Sequence, residues 1–319
     1  MADAAEIAVK KAAQAPDRSL ANPAGAVAGD LPAEAARWEA TARRVSTPAG
    51  ANAIMWRIWG SGSPVVLLHG NSGSWTHWIR NLEALSAHHT LYVPDLPGHG
   101  DADPYADTPS MAGFASLLWN GLDDLLPDEG MAADILGFSL GSVLAEAMAV
   151  ERPAQVRKLV LLRGSFSDGP LALPDGIRRW RGVDDPAEMA AIQKHNLGVL
   201  MIHDTARIDP LAVALQTRNV LRTTLDTRPL LASRSPDNFH RLTAEIHGVS
   251  GEFDVYGGDV AAQGRVLKQV HPAAQFHLIP GAGHWAIYEA ADTINPLLVE
   301  ILAGATTTSA QASGIRMKG

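Results

Sequence analysis

The 319-residue sequence contains no cysteine, which excludes disulfide bonds, thiolate metal sites and a cysteine nucleophile. It also has no excess of positive charge: 34 acidic and 26 basic side chains give a net charge of −8, which argues against a nucleic-acid-binding protein. No run approaches the roughly 18 apolar residues of a membrane-spanning helix. The acidic beginning Met1–Glu6 lacks the positive charge of a signal peptide. We therefore expect a cytoplasmic protein with no membrane or nucleic-acid partner.

Apolar residues make up 46% of the chain, enough for a sizeable core. The two ends have a different composition. Residues 1–31 are rich in Ala, Gly, Pro and Asp, and residues 304–319 are small and polar, so we expect a flexible N-terminal extension and a disordered tail. Between them we expect a core domain in two parts, residues 32–164 and 241–303, separated by an insertion at residues 165–240.

Short apolar runs alternate with helical patterns in both parts of the expected core. The predicted strands are Ala53–Trp59, Val65–Leu68, Thr90–Val93, Ala132–Leu136, Lys158–Leu162, Ala244–Val249 and Gln275–Ile279. The predicted helices include Ala33–Arg44, Trp75–Ala87, Met111–Leu126 and Val260–Val270. This alternation predicts an α/β protein with a doubly wound, mostly parallel sheet, in which the first strand forms an antiparallel edge. The insertion has helical runs and no convincing strand, which predicts a helical cap over the carboxyl edge of the sheet.

The sequence Gly137-Phe138-Ser139-Leu140-Gly141 lies between a predicted strand and a predicted helix. In so sharp a turn, side chains two residues before and two after the serine would collide, so glycine is needed at both positions. The turn holds the serine hydroxyl beside a helix N-terminus, whose N–H groups stabilise negative charge. The motif alone does not establish a nucleophile, because an ordinary glycine-bounded turn has the same pattern.

Four motifs together resemble the α/β-hydrolase fold superfamily, from about residue 53 to residue 302. They are His69-Gly70 after a buried strand, Asp95–Gly100, the turn Gly137–Gly141, and Gly281–His284 after the last strand. The resemblance implies the α/β-hydrolase fold and a catalytic triad in the chain order nucleophile, acid, histidine. The positions that match are Ser139, Asp254 and His284, each at the carboxyl end of a predicted strand.

The resemblance also assigns roles to these residues. A serine hydroxyl is a poor nucleophile at neutral pH, so His284 would accept its proton, and Asp254 would fix the histidine tautomer. Asp259 competes for the role of the acid, but the spacing of the Gly-Glu-Phe-Asp sequence matches the acid loop of the family. The two N–H donors of the oxyanion hole are expected at Asn71 and Leu140.

The other histidines are not expected to be catalytic. His69 and His99 belong to loop motifs of the family and are expected to order those loops. The remaining histidines, including His88 and His89, are expected on the surface or in the cap. His195 and His203, with Asp204, do not have the spacing of helical metal ligands. We therefore expect no metal and no cofactor.

The serine at the turn excludes reaction classes that need a different nucleophile. Haloalkane dehalogenases share the Asn that follows His-Gly, but they and the related epoxide hydrolases need a carboxylate nucleophile, so Ser139 argues against both. The resemblance implies a serine hydrolase that forms an acyl-enzyme, acting on a small-molecule carboxylic ester.

Two alternatives stay open. C–C bond hydrolases of ring-fission diketone acids share the serine and the Gly-x-Gly-His-Trp ending of Gly281–Trp285. They usually have Asn before the serine and Met-Gly-Gly after it, where this chain has Phe138 and Leu140–Ser142. The other alternative is a non-catalytic ligand-binding protein on the same fold.

The cap is expected to set specificity. It contains eight arginines, namely Arg178, Arg179, Arg181, Arg207, Arg218, Arg222, Arg228 and Arg234. Either one of them binds a substrate carboxylate in bidentate fashion, or they face the solvent. Similarly, the apolar residues Leu197 and Val199–Ile202 either line an acyl pocket or pack the cap on the sheet. We expect a small-molecule substrate and a monomer or homodimer.

Overall fold

The computed structural model describes residues 29–50, 52–105, 108–128, 130–162, 174–233, 235–256 and 258–304. The expected disordered tail lies outside these ranges except for Gly304, and so does the expected N-terminal extension except for its last three residues. Of these, Leu31 packs against buried apolar residues of the core.

Eight strands of the described chain form one sheet. They are β1 (Arg43–Ala49), β2 (Asn52–Trp59), β3 (Ser63–Leu68), β4 (His89–Asp95), β5 (Ala133–Phe138), β6 (Val156–Leu162), β7 (Glu245–Gly251) and β8 (Gln275–Ile279). Their order is β1-β2-β4-β3-β5-β6-β7-β8. The pairings β1 with β2 and β2 with β4 are antiparallel, and all the others are parallel. The predicted doubly wound, mostly parallel sheet is confirmed.

Ten α-helices are described. They are α1 (Ala33–Thr41), α2 (Leu82–Ser86), α3 (Met111–Leu125), α4 (Leu140–Glu151), α5 (Pro186–Leu200), α6 (Pro210–Leu221), α7 (Thr227–Ala232), α8 (Val260–Val270), α9 (Ala286–Glu289) and α10 (Ala291–Ala303). Short 3₁₀ turns occur at Trp75–Trp78, Pro153–Gln155, Thr205–Arg207 and Pro236–Arg241. None of the helices described is both long and apolar enough to cross a membrane.

Two buried apolar layers lie on the two faces of the sheet. One contains α3 and α4 together with side chains such as Val66 and Leu68, and the other contains α10 with Val65 and Leu67. Alternate residues of β3 therefore enter opposite layers, and all four are fully buried. A strand covered on both faces has this continuous apolar sequence.

The first part of the chain differs from the prediction. The predicted helix Ala33–Arg44 ends at Thr41, and β1 follows it directly. β1 pairs with β2 from outside, so β2 is antiparallel as predicted but is not the edge of the sheet. The reason lies in contacts across the hairpin, where the buried Trp56 indole donates to the Thr47 hydroxyl at 2.8 Å. Helix propensity over a few residues is a weak preference that such packing overrides.

The predicted helix Trp75–Ala87 is also divided. Trp75 begins a 3₁₀ turn, and its backbone N–H donates to the buried Asp95 carboxylate at 2.8 Å. Asn81 stands before α2 and donates from its side chain to the Ile287 carbonyl at 3.0 Å. Bonds to distant residues therefore replace the continuous helical ladder.

The described residues between β6 and β7 form helices and turns. Asp185 and Asp209 cap α5 and α6 by accepting from backbone N–H groups, and each is followed by proline at the first helical position, as helix starts favour. Leu197 and Ile202 are buried in the same apolar layer as Val65, so these two side chains pack the insertion on the core. The domain boundaries given above remain predictions.

Candidate active site

Ser139 lies at the junction of β5 and α4 in a backbone conformation that serine rarely adopts. Its φ is 54° and its ψ is −115°. A positive φ of this kind costs about 1–3 kcal/mol and persists only where neighbouring contacts hold it. Here the Ser139 N–H donates to the Leu162 carbonyl at 2.8 Å, and the Ser142 hydroxyl donates to the Gly137 carbonyl. The turn therefore presents the Ser139 side chain at the carboxyl ends of the parallel strands.

The two glycines of the turn are sterically required. A Cβ atom on Gly137 would lie 2.3 Å from the Gly141 carbonyl oxygen, and one on Gly141 would lie 2.4 Å from the Leu68 carbonyl oxygen. Both distances are far inside van der Waals contact. The predicted need for glycine two residues before and two after the serine is confirmed.

His284 and Asp254 form a buried hydrogen-bonded pair. The Asp254 Oδ2 atom lies 2.7 Å from His284 Nδ1, and the two side chains are only 2% and 4% exposed. The second carboxylate oxygen accepts from the Tyr256 backbone N–H at 2.9 Å. Because an ionised carboxylate can only accept, His284 Nδ1 donates and Nε2 is left as the basic nitrogen.

Aromatic rings enclose the His284 imidazole. The Phe138 ring centroid lies 5.1 Å away and the Tyr256 centroid 4.4 Å away. Since Phe138 directly precedes Ser139, the first contact places the imidazole beside the turn. Burial and the nearby Asp254 carboxylate raise the pKa of the Tyr256 hydroxyl far above its ordinary value. A cavity lined by Phe138, Asp254 and His284, among others, measures about 10 Å³, which is room for about one water molecule.

The loop after β3 lies against Ser139. A Cβ atom on Gly70 would be 3.1 Å from the Ser139 Cβ atom. Next to it, the Asn71 side-chain oxygen accepts from the Ser72 N–H at 2.9 Å, and Ser72 has a φ of 50°. Leu140 opens α4 on the other side, and the first N–H groups of a helix have no acceptor within it. Asn71 therefore follows a residue that contacts Ser139, and Leu140 directly follows Ser139 in the chain.

His69 and His99 lie in loops as expected. His69 Nδ1 donates to the Gly70 carbonyl at 2.7 Å, and its Nε2 accepts from the Leu96 N–H at 2.9 Å. His69 therefore joins the loop after β3 to the loop after β4. His99 Nδ1 lies 3.1 Å from the Pro97 carbonyl within the second loop.

The sequence analysis missed a buried histidine next to the turn. His77 is 1% exposed, its Nδ1 accepts from the Gly70 N–H at 3.2 Å, and its ring lies 5.4 Å from the Phe138 ring and 5.2 Å from the Trp285 ring. Burial, with smaller effects of neighbouring histidines, lowers its pKa well below the ordinary value. No spacing rule signals this residue, because the rings of Phe138 and Trp285 that pack against it are distant in the sequence.

The expectation that the remaining histidines lie on the surface or in the cap is wrong for three of them. His77, His89 and His247 are all buried. His89 and His247 lie on β4 and β7, where strand pairing covers them. His203 lies after α5, and its ring stacks on Phe253 at 3.7 Å. No three His, Asp or Glu side chains of the described chain form a metal-binding group.

The buried loop histidines predict a stability that falls in acid. Burial lowers the pKa of His69 to about 4 and, with the effect of His69, that of His99 to about 3. In the unfolded chain both have the ordinary value of about 6.5. Between pH 7 and pH 5 the unfolded chain therefore takes up protons that the folded protein does not, and each histidine lowers the free energy of unfolding by about 2 kcal/mol.

Urea denaturation followed by tryptophan fluorescence at pH 7, 6 and 5 measures this loss. A His99→Gln variant, which has one such histidine fewer, is expected to lose less stability over the same interval. A free energy of unfolding that stays constant or rises towards pH 5 would contradict the prediction.

Several cap arginines bind groups of this chain. Arg222 bonds to the Asp101 carboxylate at 2.5 Å, Arg228 to that of Asp226 at 2.5 Å, and Arg207 to the Glu289 carbonyl at 2.8 Å. Arg178 and Arg179 are exposed. Arg207 and Arg228 also face the solvent, with side chains 58% and 62% exposed, as one of the two alternatives expects, whereas the partly buried Arg222 is held by Asp101. Arg234 lies outside the described residues.

Comparison with known proteins identifies the family. A sequence model of the Alpha/beta hydrolase family matches residues 65–297. The chain is 27% identical over 264 residues to a 2-hydroxy-6-oxononadienedioate/2-hydroxy-6-oxononatrienedioate hydrolase of Cupriavidus pinatubonensis (strain JMP 134 / LMG 1197), an alignment that covers 75% of this chain and 86% of the relative.

Two further similarities involve an esterase and a solved structure. The pimeloyl-[acyl-carrier protein] methyl ester esterase of Vibrio campbellii (strain ATCC BAA-1116) is 33% identical over 131 residues, covering 41% of this chain and 46% of the relative. The meta-cleavage product hydrolase of Pseudomonas fluorescens IP01 superposes with a TM-score of 0.66 at 22% identity, over 82% of this chain and 98% of that one. At this identity the superposition shows a common fold.

Proposed function

Because the chain belongs to the alpha/beta hydrolase family, we propose that it is a serine hydrolase that cleaves a carbon–carbon bond next to a ketone, in a substrate of the 2-hydroxy-6-oxo-dienoate class. The observation that carries the hydrolytic chemistry is the buried 2.7 Å bond between His284 and Asp254 beside the strained Ser139. The bond type is supported by the relatives that align over three quarters of this chain, which are hydrolases of such dienoates. The proposal therefore favours hydrolysis of a carbon–carbon bond over hydrolysis of a carboxylic ester.

The first chemical step is attack of Ser139 Oγ on the ketone carbon of the substrate. Nε2 of His284 takes the hydroxyl proton, and the Asp254 carboxylate stabilises the imidazolium that results. The developing negative charge on the former ketone oxygen is stabilised by the backbone N–H groups of Asn71 and Leu140. Losing one such donor typically costs about 10²–10³-fold in rate.

Breaking a carbon–carbon bond needs a leaving carbon that can carry an electron pair. In a 2-hydroxy-6-oxo-dienoate, the keto tautomer has a saturated C5 between the C6 ketone and a conjugated C2 ketone. When the C5–C6 bond breaks, its electron pair is delocalised onto the C2 oxygen, and His284 returns the proton. The products of this half-reaction are a 2-hydroxydienoate and an acyl group on Ser139. Water, activated by His284, then releases the acyl group as a carboxylic acid.

Carboxylic ester hydrolysis is the second candidate. It uses the same attack, oxyanion and acyl-enzyme, but an alkoxide leaves instead of a carbanion. Two observations favour it: the local similarity to a methyl ester esterase, and the residues of the turn. Phe138, where C–C hydrolases usually have Asn, packs its ring against His284 and His77, and Ser142, which departs from the Met-Gly-Gly pattern, closes the turn through Gly137.

A substrate panel tests the proposal. We expect the purified protein to bleach a yellow 2-hydroxy-6-oxo-dienoate with a kcat/KM about 100-fold above that for nitrophenyl acetate and butyrate. The reaction is followed by absorbance, with Ser139→Ala as the inactive control. The reverse preference would replace C–C hydrolysis by ester hydrolysis. Saturable binding of both compounds without turnover would instead indicate a ligand-binding protein.

A further inference from the structure

The backbone on both sides of His284 is anchored by hydrogen bonds to other segments, Glu289 on α9 and Met201 after α5. Before the histidine, the Gly283 N–H donates to Glu289 Oε2 at 2.7 Å. After it, the Trp285 N–H donates to the Met201 carbonyl at 2.7 Å. The bond to Asp254 orients the imidazole ring. The hydrogen bonds of the Gly283 and Trp285 amides separately fix the backbone from which the ring extends.

Glu289 connects this constraint to the insertion. Its carboxylate, on a side chain that is 4% exposed, also accepts from the His203 N–H at 3.1 Å and from the Asp204 N–H at 2.7 Å. The loop at residues 280–285, between β8 and α9, carries His284 and is called the histidine loop. One buried carboxylate therefore holds the histidine loop and residues 203–204 together. An ionised carboxylate suits this position because both oxygens only accept, whereas an amide would turn a donor towards one of the three N–H groups.

The histidine loop and the insertion also approach too closely for any side chain between them. A Cβ atom on Gly283 would lie 2.8 Å from the His203 nitrogen and 2.9 Å from the Met201 carbonyl oxygen. The glycine before His284 thus allows the backbone contact that Glu289 secures. On the other side of the loop, the Phe253 N–H donates to the Ala282 carbonyl at 2.9 Å, which ties the loop to the segment of Asp254.

We propose that Glu289 is a positioning residue that fixes His284 for catalysis by clamping Gly283 to the insertion at residues 203–204. This inference rests on the proposed function, in which His284 is the general base. Glu289 acts through the backbone and does not need to touch the substrate. A displacement of about 1 Å in a catalytic group costs on the order of 10²-fold in rate, so loss of the clamp lowers kcat and leaves KM little changed.

The variants Glu289→Gln and Glu289→Ala test the clamp, with Glu252→Gln as the matched control. Glu252 is exposed, and its carboxylate accepts one hydrogen bond from the same loop within the described residues, from the Gly281 N–H at 2.9 Å. With whichever panel substrate is turned over, kcat is expected to fall about 10-fold in Glu289→Gln and about 100-fold in Glu289→Ala, with KM within about twofold. The control is expected to keep its kcat within about twofold.

Two further measurements separate positioning from a merely structural role. The low-field proton NMR signal of the His284–Asp254 bond is expected to shift or broaden in Glu289→Gln and to stay unchanged in Glu252→Gln. Thermal denaturation gives the folded fraction at the assay temperature. The inference is overturned if Glu289→Gln matches the control in kcat and NMR signal, or if its loss of kcat equals its loss of folded protein. Retained activity in Ser139→Ala would overturn the proposed function itself, whereas an inactive Ser139→Ala beside an unaffected Glu289→Gln would overturn this inference alone.

Discussion

Replacing Ser139 by alanine is expected to reduce kcat by about 10⁶-fold, to the residual rate that binding and oxyanion stabilisation alone provide. The side-chain oxygen is the atom that forms the acyl-enzyme, and water cannot take its place in the same step. A fluorophosphonate probe, detected by mass spectrometry, is expected to add to the wild-type protein and not to Ser139→Ala. Progress curves on the substrate panel give the loss of kcat.

The fold of this variant is expected to be unchanged. Alanine at a φ of 54° has the same steric cost as serine, since both carry a Cβ atom, so the melting temperatures should agree. The matched control is Ser116→Ala on α3, which removes a hydroxyl that donates to the Glu151 carboxylate on α4 at 3.0 Å. The probe is expected to label this variant as it labels the wild-type protein. Equal labelling of the wild-type protein and Ser139→Ala would show that another residue is the nucleophile.

The features that the sequence predicts well depend on local patterns. β3, β5 and β6 are short, largely apolar and buried, and they lie close to their predicted positions. β7 and β8, which contain more polar or exposed residues, also lie close to theirs. The candidate catalytic residues follow from this, because each stands just after one of these strands: Ser139 after β5, Asp254 after β7 and His284 after β8. Once the strands are placed in a parallel sheet, the three residues meet at one edge.

The features that the sequence does not predict depend on contacts between distant residues. β1 is a strand because its side chains pack against β2 and α3, whereas its first residues, Arg43 and Arg44, favour helix equally well. His77 is recognisable only when the rings of Phe138 and Trp285 are in place around it. Glu289 belongs to the same class, since two of the N–H groups that it accepts from lie more than 80 residues away in the chain.

Replacing Asp254 by asparagine is expected to reduce kcat by about 10⁴-fold, because it selects the wrong histidine tautomer. One Asp254 oxygen accepts from the Tyr256 N–H at 2.9 Å, and the other from His284 Nδ1 at 2.7 Å. In asparagine only one of these positions is an acceptor. If the amide oxygen keeps the Tyr256 bond, the NH₂ group faces His284, whose Nδ1 must then accept. The single ring proton of the neutral His284 imidazole is therefore on Nε2. This nitrogen can then no longer accept the hydroxyl proton of Ser139.

Asp259→Asn is the matched control for this change and also tests the competing candidate for the acid. Asp259 caps α8 by accepting from the Ala262 N–H at 3.0 Å and pairs with Arg265 at the surface. Asparagine is an equally good cap, and a surface ion pair contributes little, so kcat should stay within about twofold. Steady-state kinetics of both variants at pH 7 decide between them, because a large loss in Asp259→Asn with none in Asp254→Asn would transfer the role of the acid to Asp259.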